Sequence, residues 1–165
     1  MSILITGGAG YIGSATVEAL RRRGESIVVL DNLSSGHRAA LDPLVPFVEG
    51  DLADSALIRR VLAEHNVNQV IHFAAFITVP ESVANPAIYY RNNFVNALNL
   101  LEALSERPGS RIVFSSTAAV YGEPQSTPIP EDHPKQPANP YGEAKRMVEL
   151  ALQSFDAAYG LRHVA

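Results

Sequence analysis

Tyr141 and Lys145 stand four residues apart directly after Pro140. On a helix that spacing puts both side chains on one face. A lysine cation beside a phenol favours the phenolate, so such a tyrosine could act as general base or acid near neutral pH, and the lysine could also hydrogen-bond a ribose. Spacing alone favours an ordinary amphipathic helix with a half-buried tyrosine and a solvated lysine, so the pair gains meaning only from what accompanies it. Phe114-Ser115-Ser116-Thr117 closes an apolar run, at the strand end where open α/β sheets place ligands. The Thr117 hydroxyl could bond a substrate oxygen or cap local backbone, and the sequence supports both readings.

The accompanying feature lies at the other end of the chain. Thr6-Gly7-Gly8-Ala9-Gly10-Tyr11-Ile12-Gly13 follows one apolar run and opens a helical pattern, with glycines at 7, 10 and 13. Such glycines serve a tight strand-to-helix turn, close approach of a pyrophosphate to bare backbone, and close packing of helix on strand. The phosphates would then meet the free N–H groups of the helix N-terminus. Asp31 ends the second apolar run, near the roughly 20-residue distance expected for a carboxylate that holds adenosine ribose hydroxyls. An acid there repels a 2′-phosphate, which favours NAD over NADP. A phosphate-binding P-loop is the rival reading, but Ser14 stands where that motif requires lysine, so phosphoryl transfer is disfavoured.

Elements that could position these groups alternate along the chain. Residues 3–6, 27–30, 46–48, 70–73 and 112–115 read as strands, and their continuous apolar character suits strands buried on both faces of a parallel sheet. Between them, apolar spacings of three and four predict amphipathic helices around Ile12, Ala15 and Ala19, around Leu57 and Val61, around Phe94, Leu98 and Leu101, and from Ala144 to Phe155. Strand and helix in alternation predict an α/β doubly wound parallel sheet of the Rossmann type. From Gly122 to Pro140 six prolines prevent regular structure, which predicts an ordered loop or lid.

Composition removes several functions. The chain of 165 residues has no cysteine, which excludes disulfides, zinc-thiolate and iron–sulfur sites and a cysteine nucleophile, and fits a reducing cytoplasm. Its five histidines show no metal-ligand spacing, so no metal is expected. With 13 basic against 17 acidic side chains, and Arg21-Arg22-Arg23 as the longest basic run, nucleic-acid binding is not expected. The apolar start meets glycine too soon for a signal peptide or membrane span.

Taken together, the glycine loop, Asp31-Asn32-Leu33, Gly50-Asp51-Leu52, His72-Phe73-Ala74-Ala75, Tyr89-Tyr90-Arg91-Asn92-Asn93, the run from Ser115 to Gly122 and Asn139-Pro140-Tyr141-Gly142-Glu143-Ala144-Lys145 resemble the extended short-chain dehydrogenase/reductases, specifically the UDP-glucose 4-epimerases. The motifs occur in family order over nearly the whole chain. The resemblance implies that Gly7, Gly10, Tyr11, Ile12 and Gly13 meet the NAD pyrophosphate, that Asp31 and Asn32 hold the adenosine ribose with Leu33, Ser35 and Gly36 beside them, and that Asp51 and Leu52 border the adenine. Phe73, Ala74 and Ala75 would line the nicotinamide side, with Asn92 and Ser115 nearby. It further implies that Tyr141 removes the sugar 4-OH proton while hydride passes from C4 to NAD, with Lys145 tuning the tyrosine and also touching the cofactor, and Thr117 bonding the sugar oxygen. The 4-keto sugar would then turn over and take the hydride back on its other face, without an external reductant.

Two departures carry chemistry. The related 4,6-dehydratases typically place an Asp-Glu pair after the strand-end threonine, where this chain has Ala118 and Ala119, so water elimination is disfavoured. Many of the epimerases carry a lysine near the cofactor where Phe76-Ile77-Thr78 stands here. The resemblance implies that residues 1–165 are the NAD-binding domain, cut within or after its sixth strand at 161–165 and without the C-terminal substrate domain, so that turnover by this chain alone would be impaired. A UDP-sugar is the expected substrate and a homodimer a possible assembly. The alternatives are an epimerase or reductase for another sugar nucleotide, or a non-catalytic NAD-binding module.

Overall fold

The computed structural model describes residues 1–165. Six strands form one sheet in the order β3-β2-β1-β4-β5-β6, every neighbouring pair being parallel. They are β1 (Ser2–Thr6), β2 (Ile27–Asp31), β3 (Phe47–Glu49), β4 (Val67–His72), β5 (Arg111–Phe114) and β6 (Arg162–Val164). The helices are α1 (Tyr11–Arg22), α2 (Ser55–Glu64), α3 (Val79–Ala84), α4 (Pro86–Tyr89), α5 (Asn96–Ser105) and α6 (Pro140–Tyr159), with a π-helical segment over Tyr90–Val95 leading into α5. The strand order reverses between β1 and β4, and at such a switch point the connections leave in opposite directions and open a crevice at the carboxyl ends of the strands.

All the predicted strands and helices form, with shifted ends. β4 starts at Val67 because that residue pairs with Ser2, and it stops at His72, freeing Phe73. The α3 and α4 elements have no counterpart in the sequence reading, and Phe94, read as part of the helix with Leu98 and Leu101, falls in the π segment instead. Asp54 caps α2 by accepting the Leu57 N–H at 2.9 Å, and Asn139 caps α6 by accepting the Gly142 N–H at 2.9 Å. Pro140 suits the first position of α6, where no donor is required. No helix is long and apolar enough to cross a membrane.

The two faces of the sheet are unequally covered. Leu4, Leu30, Val70, Ile112 and Phe114 pack on one side with residues of α2, α5 and α6 such as Ile58, Leu100 and Leu152. On the other side Ile5 and Val29 pack with Val17 of α1, Leu41 and Val45. All of β2 is buried, as the continuous apolar reading expects. β5 departs from it: Ile112 and Phe114 are buried while Val113 is 47% exposed, and Val164 of β6 is 64% exposed. The second layer lies over β1 to β3 and reaches only the near side of β4, so nothing covers that face of β5 and β6.

Candidate active site and cofactor cavity

Between β1 and α1 the backbone is drawn so tight that side chains cannot fit. Gly7 has φ +70°, and a Cβ there would lie 2.6 Å from the Ala74 backbone nitrogen. A Cβ on Gly13 would lie 2.2 Å from the Gly7 carbonyl oxygen. These glycines therefore bring the first turn of α1 against the end of β1. The first intrahelical bond is from Ser14 N–H to the Gly10 carbonyl, α1 has no side-chain cap and its first turn has no acid. The amides of Tyr11, Ile12 and Gly13 thus face outward with the positive end of the helix dipole.

Asp31, at the end of β2, braces this turn. Its Oδ2 accepts the Ala9 N–H at 2.9 Å and its Oδ1 the Leu33 N–H at 2.8 Å. A carboxylate has about four acceptor positions, so capacity for hydroxyl donors remains. Asn32 Nδ2 donates to Asp51 Oδ2 at 2.7 Å, and Asn96 Nδ2 donates to Asp51 Oδ1 at 3.2 Å. The β2 exit, the β3 exit and α5 are thereby joined around one wall.

These groups surround a cavity of about 420 Å³ at the carboxyl ends of the strands. Every expected cofactor residue lines it except Leu33, whose side chain packs instead with the core beneath α1. Tyr141 and Lys145 line it too, at the start of α6. Thr117 does not: its Oγ1 accepts the Ala119 N–H at 3.1 Å and caps the short turn over Ala118–Tyr121, which leaves its own O–H free to donate. Ser34, Asn96 and Ser116 line the cavity without having been singled out. Asn96 follows Asn92 by one helical turn, a spacing that could have flagged it; nothing in sequence marks the other two beyond their neighbours.

Lys145 is buried, its Nζ donating to the Ser115 carbonyl at 2.8 Å and lying 4.8 Å from the centre of the Phe114 ring. Burial pulls its pKa from 10.5 down to about 8. No hydrogen bond joins it to Tyr141; the two share the cavity and the helix face. His72, below them at the end of β4, is held to about 3 by burial and then by the Lys145 charge, so it is neutral, paired through Nδ1 with the Thr6 hydroxyl at 2.6 Å. Phe76 and Ile77 give the cavity an apolar edge. Phe76 is clamped by Asn93, whose Oδ1 accepts its N–H and whose Nδ2 donates to its carbonyl, both at 2.8 Å.

A glycine turn at the sheet's switch point, an acid ending β2, and a tyrosine and lysine on the helix beyond β5 define a dinucleotide-binding protein of the Rossmann class. Residues 3–165 match the model of the NAD dependent epimerase/dehydratase family, and the chain belongs to that family. It is 52% identical over 162 residues to a UDP-glucose 4-epimerase of Azospirillum brasilense, covering 98% of this chain and 47% of that protein. It is 48% identical over 165 residues to a UDP-glucose 4-epimerase of Lacticaseibacillus casei, covering 100% of this chain and 50% of that protein. The structure of UDP-glucose 4-epimerase from Brucella ovis in complex with NAD superposes with a TM-score of 0.96 at 44% identity, over 99% of this chain and 50% of that one. The chain spans about half the length of the curated relatives it matches.

Proposed function

We propose that the chain carries the NAD site and the catalytic pair of a UDP-glucose 4-epimerase, which interconverts UDP-glucose and UDP-galactose. The observation that carries this reading is that Tyr141 and Lys145 open into the same cavity as the glycine turn and Asp31. The cavity suits NAD: uncapped amides at the α1 N-terminus for a pyrophosphate, a crowded turn that admits backbone approach, and an acid with spare acceptors for a ribose diol. Bound there, NAD would supply a reversible hydride acceptor.

The chain's own groups would do the rest. Amides of Tyr11, Ile12 and Gly13 hold the diphosphate, and Asp31 accepts the ribose hydroxyls while repelling a 2′-phosphate. Tyr141 Oη would take the proton from the sugar O4 when C4 is oxidised, and would return it when C4 is reduced. Lys145, fixed by the Ser115 carbonyl, holds positive charge near the phenol. Phe76 and Ile77 give that end an apolar edge. Ala118 and Ala119 offer no acid or base for eliminating water, which separates this reading from a dehydratase. The same proposal includes a cytoplasmic setting, in line with the cysteine-free composition, and pairing of two copies.

The test is to add UDP-galactose to the NAD-loaded chain and follow the absorbance of reduced nicotinamide. The wild-type chain is expected to give only a weak signal, since its turnover alone would be impaired, and Tyr141→Phe to bind NAD while lowering that signal's rate on the order of 10²-fold or more. Equal rates would remove Tyr141 from the chemistry. No signal and no UDP-galactose binding by a chain that binds NAD would replace the epimerase by an NAD-binding module.

A further inference from the structure

One buried carboxylate has no part in this scheme. Glu149 lies on α6 one turn past Lys145, in the row that Tyr141 and Lys145 begin, and its side chain is 5% exposed. Oε1 accepts the Ser116 hydroxyl at 2.6 Å, while Oε2 accepts Lys135 Nζ at 2.6 Å and Arg146 Nη1 at 2.9 Å. Burial opposes its ionisation, but the bonds from Lys135, Ser116 and Arg146 together outweigh burial and hold its pKa below the usual carboxylate range. A buried charge persists only when paired, and two of these partners come from outside α6. Ser116 follows β5 in the cavity wall, and Lys135 belongs to the proline-rich loop.

That loop contains no helix or strand between Gly122 and Asn139, yet its ends are pinched together. A Cβ on Gly122 would lie 1.9 Å from the Gln136 carbonyl oxygen, and one on Gly142 2.7 Å from the Ala119 carbonyl oxygen. Lys135 sits at this neck, from which the chain runs through Asn139, the cap of α6, to Tyr141. Two successive rungs also fasten α6 to the β5 exit: Lys145 to the Ser115 carbonyl and the Ser116 hydroxyl to Glu149.

We propose that Glu149 is a positioning residue that fixes Ser116 in the cavity wall and, through Lys135, ties down the proline-rich loop whose exit sets the place of Tyr141. The proposal rests on the reading of the cavity as the cofactor and catalytic site. Glu149 itself touches neither cofactor nor substrate; it acts through the groups it holds. Loss of its charge leaves Lys135 without an anionic partner and the loop neck free to open.

Limited trypsin digestion of the full chain, followed by mass spectrometry, reads the tether as the rate of cutting after Lys135 relative to cutting after Arg23, exposed at the end of α1. Glu149→Gln is expected to speed the cut at position 135 on the order of ten-fold and leave position 23 unchanged. Lys135→Arg keeps the cation and is expected to retain the protection. Equal acceleration at both positions, or at neither, overturns the proposal. Titration of Glu149→Gln with NAD is expected to show binding weakened by roughly five-fold, because Ser116 and Tyr141 line the cavity; wild-type affinity alongside an opened loop would refute the positioning role. Should Glu149→Gln not fold, Lys135→Ala read by hydrogen exchange serves instead. Faster exchange confined to residues 122–139 is expected, and unchanged or chain-wide exchange overturns the proposal. The digestion needs no cofactor, so failure of the wild-type chain to bind NAD counts against the cofactor reading, while the tether is judged on the cutting rates.

Discussion

Gly13 shows how little room the site leaves. A methyl group there would press on the Gly7 carbonyl oxygen at 2.2 Å and the Gly8 Cα at 2.8 Å, and both are backbone, so the turn itself must move. Gly13→Ala is expected to cost about 1–3 kcal/mol of stability, measured by denaturant unfolding, and to weaken NAD binding more than ten-fold in a titration. Asp31 accepts the Ala9 and Leu33 N–H groups, so its removal would orphan both, quite apart from its proposed ribose contact. Asp31→Ala is therefore expected to lose about 1–3 kcal/mol even with no cofactor present, and a stability equal to wild type would show that the brace is unimportant. Residues of this kind were legible because backbone geometry dictates their type: glycine where φ is positive or a Cβ would collide, an acid at a strand end. Thr117 was legible only as a hydroxyl. Which way it turns is decided by the Ala119 amide, a contact that no spacing encodes.

Among the elements, the strands could be read from sequence because burial demands apolar, β-branched runs, and β2 meets that demand at every position. α3, α4 and most of the π segment escaped, since they are short and owe their order to distant partners. The Tyr89 hydroxyl lies within hydrogen-bond distance of the Thr78 carbonyl and of Glu81, Asn93 grips the Phe76 backbone, and the Tyr90 hydroxyl bonds Glu143 on α6. A π segment turns successive side chains to unusual directions, and π turns are frequent at functional sites; here it sends Asn93 inward to Phe76 and Asn92 to the cavity. α5 then packs into the main core, where Leu100 is fully buried. Leu100→Ala is expected to cost about 2–5 kcal/mol by thermal or denaturant unfolding. A change below 1 kcal/mol would mean that the core is looser than its burial indicates.

For the molecule as a whole, the buried Lys145 links stability to pH. Its ammonium releases its proton near pH 8 in the folded chain and near 10.5 when unfolded. Between those values the unfolded chain binds more protons, so stability rises with pH across the window and is lost as pH falls through about 8. Lys145→Met is expected to remove that rise, seen as unfolding free energy against pH for the two proteins; parallel profiles would contradict the burial of a titrating ammonium. The doubly wound architecture was legible from alternating strand and helix patterns, whereas the uneven cover of the sheet was not. Apolar runs report that a strand is buried, and Val113 and Val164 carry that same signature on a face with no layer over it. The cavity at the switch point is proposed to bind NAD, with Asp31 selecting it over NADP. Calorimetric titration of the purified chain with NAD and with NADP tests it most directly. One saturable NAD site per chain, with NADP at least about ten-fold weaker, is the expected result. A folded chain that takes up no NAD, or binds NADP equally well, would contradict it.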